Sequence, residues 1–201
     1  DNEMVEQLQK GISDACNFYQ TFVLGGDTNE GDNLVLTGTV FGTLKKGKFL
    51  SRVGCKPDDI LYSTGELGLG NAYAISKLIK NSKQKIVYKP LAQLTNSELI
   101  NKYASSCMDT SDGLIATIDQ LMRLNNIGFE ICRDWQKAVD KNAIKYVEGL
   151  NIPSWLLFAG QHGEFELIFT IPEELNDSFF SDAFDSDFYP IELGKVAIKQ
   201  E

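Results

Sequence analysis

The sequence predicts an α/β protein, with helices layered against a mixed sheet. Three observations carry that expectation. Short runs rich in β-branched and aromatic residues recur along the chain, helical stretches with apolar residues three and four apart separate them, and glycines or prolines stand at the junctions. The two kinds of segment intermix without a strict β-α-β-α alternation, which points to a mixed sheet instead of a purely parallel one. With 201 residues, 43% hydrophobic and 10% aromatic, the chain can bury one or two modest cores.

Residues 4 to 19 place Val5, Leu8, Ile12, Cys16 and Tyr19 on one helical face, and "TFVL" (21 to 24) follows as a short buried strand. After the glycine-opened acidic turn "GGDTNEGD", the run "NLVLTGTVFG" reads as a strand apolar on both sides. A turn at "KKGK" (45 to 48) marks the expected boundary between a first domain, residues 1 to 46, and a second, 47 to 201. "DDILYSTGELGLGNAYAISKLIK" predicts strand, glycine turn and helix, with Ala72, Ile75, Leu78 and Ile79 as the apolar stripe. "NSELINKYA" predicts a helix capped by Asn96 or Ser97. In "SSCMDTSDGLIATIDQLMRLNNIGFEI" a short strand runs into "DTSDG". A helix follows with Leu114, Ile118, Leu121 and Met122 on one face, "NNIG" ends it, and "FEI" opens another strand. Residues 133 to 150 read as helical. "GEFELIFTIPEE" predicts a strand with Phe165, Leu167, Phe169 and Ile171 on one face, Pro172 starts a helix, and "FYPIELGKVAI" predicts a final strand pair.

Composition narrows the function. A formal charge of −9 argues against a nucleic-acid partner, since that binding is driven by basic side chains displacing counterions. No apolar run approaches the ~18 residues of a membrane span and no signal-peptide pattern opens the chain, so no membrane association and a cytoplasmic location are expected. The chain begins at Asp1 without an initiator methionine and reads as a piece of a longer protein. Cys16, Cys55, Cys107 and Cys132 stand far apart with no CxxC pair and one histidine in the chain, which predicts reduced, mostly buried thiols and no zinc site.

Several motifs dissolve on inspection. "GTLKKGKF" (42 to 49) has the GxxxxGK spacing of a P-loop, but Phe49 stands where a hydroxyl must reach magnesium. "GELGLG" (65 to 70) lacks dinucleotide-binding spacing and reads as a tight strand-to-helix turn. Neither acidic loop has the glycine an EF-hand needs at its sixth position. "DTSDG" survives. Asp109 and Asp112 bracket Ser111 at the mouth of a helix, where free N–H groups and the helix dipole favour an anion. An N-cap alone accounts for one of these polar residues and leaves the second carboxylate unexplained. With Asp27 in the first acidic loop, the pattern suits Mg²⁺ held by one or two carboxylates and by nucleotide phosphates.

"GGDT" (25 to 28), "SRVGCKPDDILYSTGELG" (51 to 68), "DTSDGL" (109 to 114) and "EFELIFT" (164 to 170) resemble, in order and spacing, the motifs of thiamine-monophosphate kinase, in the superfamily of aminoimidazole ribonucleotide synthetase, the hydrogenase maturation dehydratase and selenophosphate synthetase. The resemblance spans the latter two-thirds of the usual family member. It implies a two-domain architecture with an incomplete N-terminal domain, a homodimer, and transfer of the ATP γ-phosphoryl group to thiamine phosphate, a small phosphorylated acceptor. It further implies that Gly26 lies against the nucleotide phosphates, that Asp27, Asp109 and Asp112 ligate Mg²⁺, and that Asp27, Arg52 and Ser111 belong to the ATP site. No protein nucleophile is expected. The family's "GGEDYEL" reads "QHGEFEL" here. Gly163 thus replaces a glutamate that contacts thiamine, and Glu164, one residue on, is the expected substitute. Two alternatives stay open: a catalytically silent nucleotide-binding homologue, and an ATP-dependent enzyme with a different acceptor.

Overall fold

In a computed structural model, residues 2–44, 49–79 and 85–199 are described. The chain divides into two compact units, Asp1–Lys45 and Lys46–Glu201. The turn expected at 45 to 48 lies outside the described residues, as does half of the P-loop-like segment.

Among the described residues the first unit holds one helix, α1 (Asn2–Phe18). Val5, Leu8, Cys16 and Tyr19 of the expected stripe are half-buried while Ile12 is exposed. Neither strand expected in this unit forms among the described residues: 21–24 and 33–44 run without a ladder. The reason is physical, since an isolated segment has no partner for its backbone N–H and C=O groups and a strand exists only as part of a pair. Phe22, Val23, Leu24, Leu34, Val35, Leu36, Val40 and Phe41 are accordingly exposed, Val40 almost completely at 98%.

The second unit is a five-stranded sheet of β1 (Ile60–Ser63), β2 (Ser106–Asp109), β3 (Ile127–Ile131), β4 (Leu167–Ile171) and β5 (Ile191–Ile198), in the order β2-β4-β1-β5-β3. Among the described residues every strand pairing within this sheet is antiparallel, which corrects the expectation of a mixed sheet. Alternation along the strands sends side chains to opposite faces, and helices cover both. Leu61 and Ile168 join one core with residues of α2 (Leu69–Leu78), α4 (Leu114–Asn125), α5 (Lys141–Glu148) and α6 (Trp155–Ala159). Ile60, Tyr62, Phe169 and Ile171 join the other, with α3 (Ser97–Tyr103) and α7 (Asn176–Asp185). A strand buried on both faces reads as a continuous apolar run, the same signal a parallel strand gives.

Other differences are local. The stripe of α2 is buried at its N-terminal end, through Ala72 and Ala74, and Leu78 is exposed. Residues 133 to 150 hold a one-turn 3-10 helix, Trp135–Ala138, before α5. Another, Glu173–Leu175, follows Pro172 and leads into α7. The N-cap of α3 is Asn96, without a side-chain cap bond. The tail is one strand, not two. Leu61 pairs Gly194 while Tyr62 pairs Glu192, so Gly194 sits at a register shift inside β5. At φ 156° and against the Glu130 carbonyl, that position leaves no room for a side chain. Asn126, left-handed at φ 55°, ends α4 and lets β3 start at the next residue.

Phe179, fully buried on α7, lies within ring-contact distance of Tyr62, Tyr103, Phe169, Phe180 and Phe188. Truncation to Ala leaves a cavity that several rigid rings cannot close, so Phe179→Ala is expected to cost about 3–5 kcal/mol. Urea unfolding would register this as a lower midpoint at unchanged slope.

Candidate active site

The turn Thr110–Gly113 joins β2 to α4 and is held from two sides. The Thr110 amide and hydroxyl both donate to the Glu166 carbonyl, each at 2.9 Å, and the Glu164 amide donates to the Thr110 carbonyl at 3.0 Å. Gly113 is the N-cap of α4 at φ 85°, packed against the Gly160 carbonyl, and no side chain caps the helix. Capping by Ser111 or Asp112 is therefore excluded as the reason for the polar cluster. Both side chains are exposed, in front of a helix whose first turn carries free N–H groups. Thr117, one turn in, donates from its hydroxyl to the carbonyls of Asp109 and Gly113, both at 3.0 Å, and ties the helix to the strand end.

Arg52 reaches the same place from the segment ahead of β1. The Ser51 carbonyl accepts from the Cys107 amide (2.9 Å), so this segment lies along the outer edge of β2. Asn125, at the far end of α4, donates to the Arg52 carbonyl (2.9 Å) and accepts from the Gly54 amide (2.8 Å). The guanidinium consequently stands with Nη2 3.8 Å from Asp109 Oδ1 and Nη1 3.5 Å from Gln120 Oε1. Both ions of the pair are half-exposed, so the attraction is weak and an incoming ligand can replace it. Sequence analysis missed Asn125, Thr117 and Gln120. The doubled asparagine at 125 and 126 was the available signal, and it had been read as a helix end alone.

Of the expected site residues, the second unit brings together Arg52 and Asp109, with Ser111 and Asp112 on the same turn. Glu164 goes elsewhere. It is 4% exposed, and its carboxylate accepts from the Gly70 amide (2.9 Å), the Asn71 amide (3.2 Å) and Asn71 Nδ2 (3.0 Å) at the start of α2. That helix end supplies the donors a buried carboxylate needs, and it turns Glu164 inward, away from any acceptor on the surface. Glu166 is half-buried, with Oε2 2.5 Å from the Thr64 hydroxyl and Oε1 3.2 Å from Gln93 Nε2. In the first unit, the exposed Asp27 carboxylate accepts from the Thr28 amide and from Asn29 Nδ2, both at 2.9 Å, and Gly26 faces open space.

The donors on the β2–α4 turn are all oxygen, which suits Mg²⁺ and not zinc. Among the described residues no group of three His, Cys, Asp or Glu side chains stands close enough to hold a metal, so an ion here would take no more than two carboxylates from this unit and would draw its remaining ligands from phosphate and water. The four cysteines are free. Burial pushes the Cys107 thiol up to about 12 and raises Cys55 and Cys132, which keeps these thiols protonated and unreactive. Among the described residues no helix is long and apolar enough to cross a membrane.

With this geometry in view, comparison with known proteins first gives a class. Residues 1–44 match the family model described as AIR synthase related protein, N-terminal domain. A more particular likeness runs along most of the chain. It is 30% identical over 188 residues to the thiamine-monophosphate kinase of Methanocaldococcus jannaschii, covering 84% of this chain and 56% of that protein. It is 28% identical over 181 residues to that of Methanopyrus kandleri, covering 87% and 58%. The chain thus spans little more than half the length of the curated relatives it matches. The structure titled AaThiL complexed with AMPPCP and TMP shares its fold, with a TM-score of 0.75 at 24% identity, covering 100% of this chain and 64% of that one.

Burial raises the carboxyl groups of both Glu164 and Glu166, against the opposing effect of their hydrogen-bond donors. The folded state then binds protons more readily than the unfolded chain. Stability contributed by these groups is complete at low pH and falls as pH rises from the ordinary carboxylate value through the raised one. Glu166→Gln is expected to flatten part of that fall, read as urea midpoints between about pH 4 and about pH 7.

Proposed function

We propose that this chain belongs to an ATP- and Mg²⁺-dependent phosphotransferase of the thiamine-monophosphate kinase type, which transfers the γ-phosphoryl group of ATP to the phosphate monoester of thiamine monophosphate to give thiamine diphosphate. The observation that carries the reading is the pairing of Arg52 with Asp109 beside the exposed Ser111 and Asp112 at the uncapped start of α4. The names of the curated relatives, and an AaThiL structure holding AMPPCP and TMP, support the same reaction.

In this reading the free N–H groups of α4 and the Ser111 hydroxyl donate to phosphate oxygens, and Arg52 exchanges its weak contact with Asp109 for nucleotide phosphate. Asp109 and Asp112 are the oxygen donors for Mg²⁺ on this unit. On the first unit, Asp27, set by Thr28 and Asn29, is proposed as a carboxylate donor to Mg²⁺, and Gly26 leaves its backbone open to phosphate. The bound cation supplies charge neutralisation for the phosphates, and the side chains supply position, so that no protein nucleophile is needed. We assign the reaction to the cytoplasm, a compartment that holds ATP and keeps thiols reduced, in keeping with four free cysteines.

One observation favours a second reading. Gly163 stands where the resemblance expects a substrate-contacting glutamate, and Glu164 is turned inward, which suits a nucleotide-binding homologue without turnover. Incubating the full-length protein with ATP, Mg²⁺ and thiamine monophosphate and assaying for thiamine diphosphate separates the two, and absence of product favours the second. For the nucleotide site itself, Asp112→Asn and Arg52→Ala are each expected to weaken AMPPCP binding in the presence of Mg²⁺ by about tenfold or more, measured by calorimetry. Wild-type affinity in both variants would remove the site.

We propose also that the protein is a homodimer. The exposed apolar residues at 21–24 and 33–41 need strand partners, and a second copy can supply them. Sedimentation of the full-length protein at micromolar concentration should give a dimer, and a monomer alone would reject this.

A further inference from the structure

Where β4 would continue beyond Leu167 alongside the end of β2, the ladder breaks step. Thr110 donates to Glu166, as a regular antiparallel pair requires, yet its carbonyl accepts from Glu164, two residues further along. Phe165 is the residue left over. Its φ is 58°, in the left-handed region that a bulky residue rarely adopts, and its side chain is 43% exposed. A left-handed backbone at a bulky residue costs stability at a position where glycine or asparagine would sit at little cost.

The surroundings hold this strain in place. Glu164, on one side of Phe165, is fixed to the start of α2 through Gly70 and Asn71. Glu166, on the other, is fixed to Thr64 and Gln93. The Tyr88 hydroxyl lies 3.0 Å from the Gly163 carbonyl and 2.7 Å from that of Glu164, and the His162 amide donates to Asn71 Oδ1 at 3.2 Å. The ring itself lies over Gly163. A β-carbon at that position would stand 2.8 Å from Phe165 Cε2 and 2.5 Å from the Ser111 carbonyl oxygen. Gly163 is thus the space that lets an aromatic ring approach the Asp109–Asp112 turn. The residue that seemed to be a lost contact is the condition for a different one.

We propose that Phe165 is a specificity-determining residue of the acceptor site, offering its ring to the planar heterocycle of a phosphate monoester whose phosphate meets the nucleotide's γ-phosphate beside the Ser111 turn. The inference rests on the phosphotransferase reading above. Stacking on an exposed ring is sequentially simple to build and suits a flat substrate, and a positively charged heterocycle such as a thiazolium gains further from the negative face of the ring.

The test is calorimetric titration of the full-length protein with thiamine monophosphate, and separately with AMPPCP and Mg²⁺. Phe165→Ala is expected to weaken thiamine monophosphate binding by about tenfold while AMPPCP binding stays at wild-type strength, and Phe165→Trp to retain both. Phe165→Gly, which relieves the left-handed backbone, is expected to unfold at a temperature no lower than wild type while losing acceptor affinity. Thiamine monophosphate binding by Phe165→Ala at wild-type strength would overturn the assignment, and a lower melting temperature for Phe165→Gly would mark the ring as packing and overturn it equally. Failure of the wild-type protein to bind thiamine monophosphate would overturn the phosphotransferase reading itself, and this assignment with it.

Discussion

The second unit depends on one close approach. The backbone of Ser111 and that of Gly163 run so near each other that no side chain fits between them. The contact locks the β2–α4 turn to the loop ahead of β4, with Thr110 bonded to both Glu164 and Glu166. The start of α4, the carboxylates in front of it and the Phe165 ring therefore occupy one small region. A charged or hydrogen-bonded network built on flexible side chains would lose its geometry to rotamer entropy. Here the backbone carries the positioning, and the Arg52, Asp109 and Ser111 side chains reach solvent.

Glu164, buried, and Glu166, half-buried, illustrate how one short segment does opposite work. Glu164 faces inward and satisfies the amides that open α2. Glu166 reaches across to Thr64 and Gln93, binding the loop to the β1–α2 turn and to the strap that follows α2. Each carboxylate is costly to bury, and each has donors that offset the cost. Between them stands the one residue of the three whose side chain faces solvent.

Much of this was legible in the amino-acid pattern where the determinants are local. The apolar stripe of Leu114, Ile118 and Leu121 announced α4, and the doubled aspartates at 109 and 112 announced the turn before it. Partners distant in the chain were not legible. Asn125 holds Arg52 from 73 residues away, and nothing in its neighbourhood tells that from a helix end. Glu164 was read by position, one step from a family glutamate, but burial and the nearness of α2 decide its role. The mixed sheet was inferred from two-sided apolar strands, a signal of burial on both faces that is silent about direction.

The position of β5 has a consequence for how the molecule comes to exist. It is the last of the five strands along the polypeptide, yet it lies between β1 and β3, so neither of those ladders can close until β5 has left the ribosome. Until then the nascent chain carries two open sheet edges, and the β1–β5 ladder awaits contacts more than a hundred positions apart in the message.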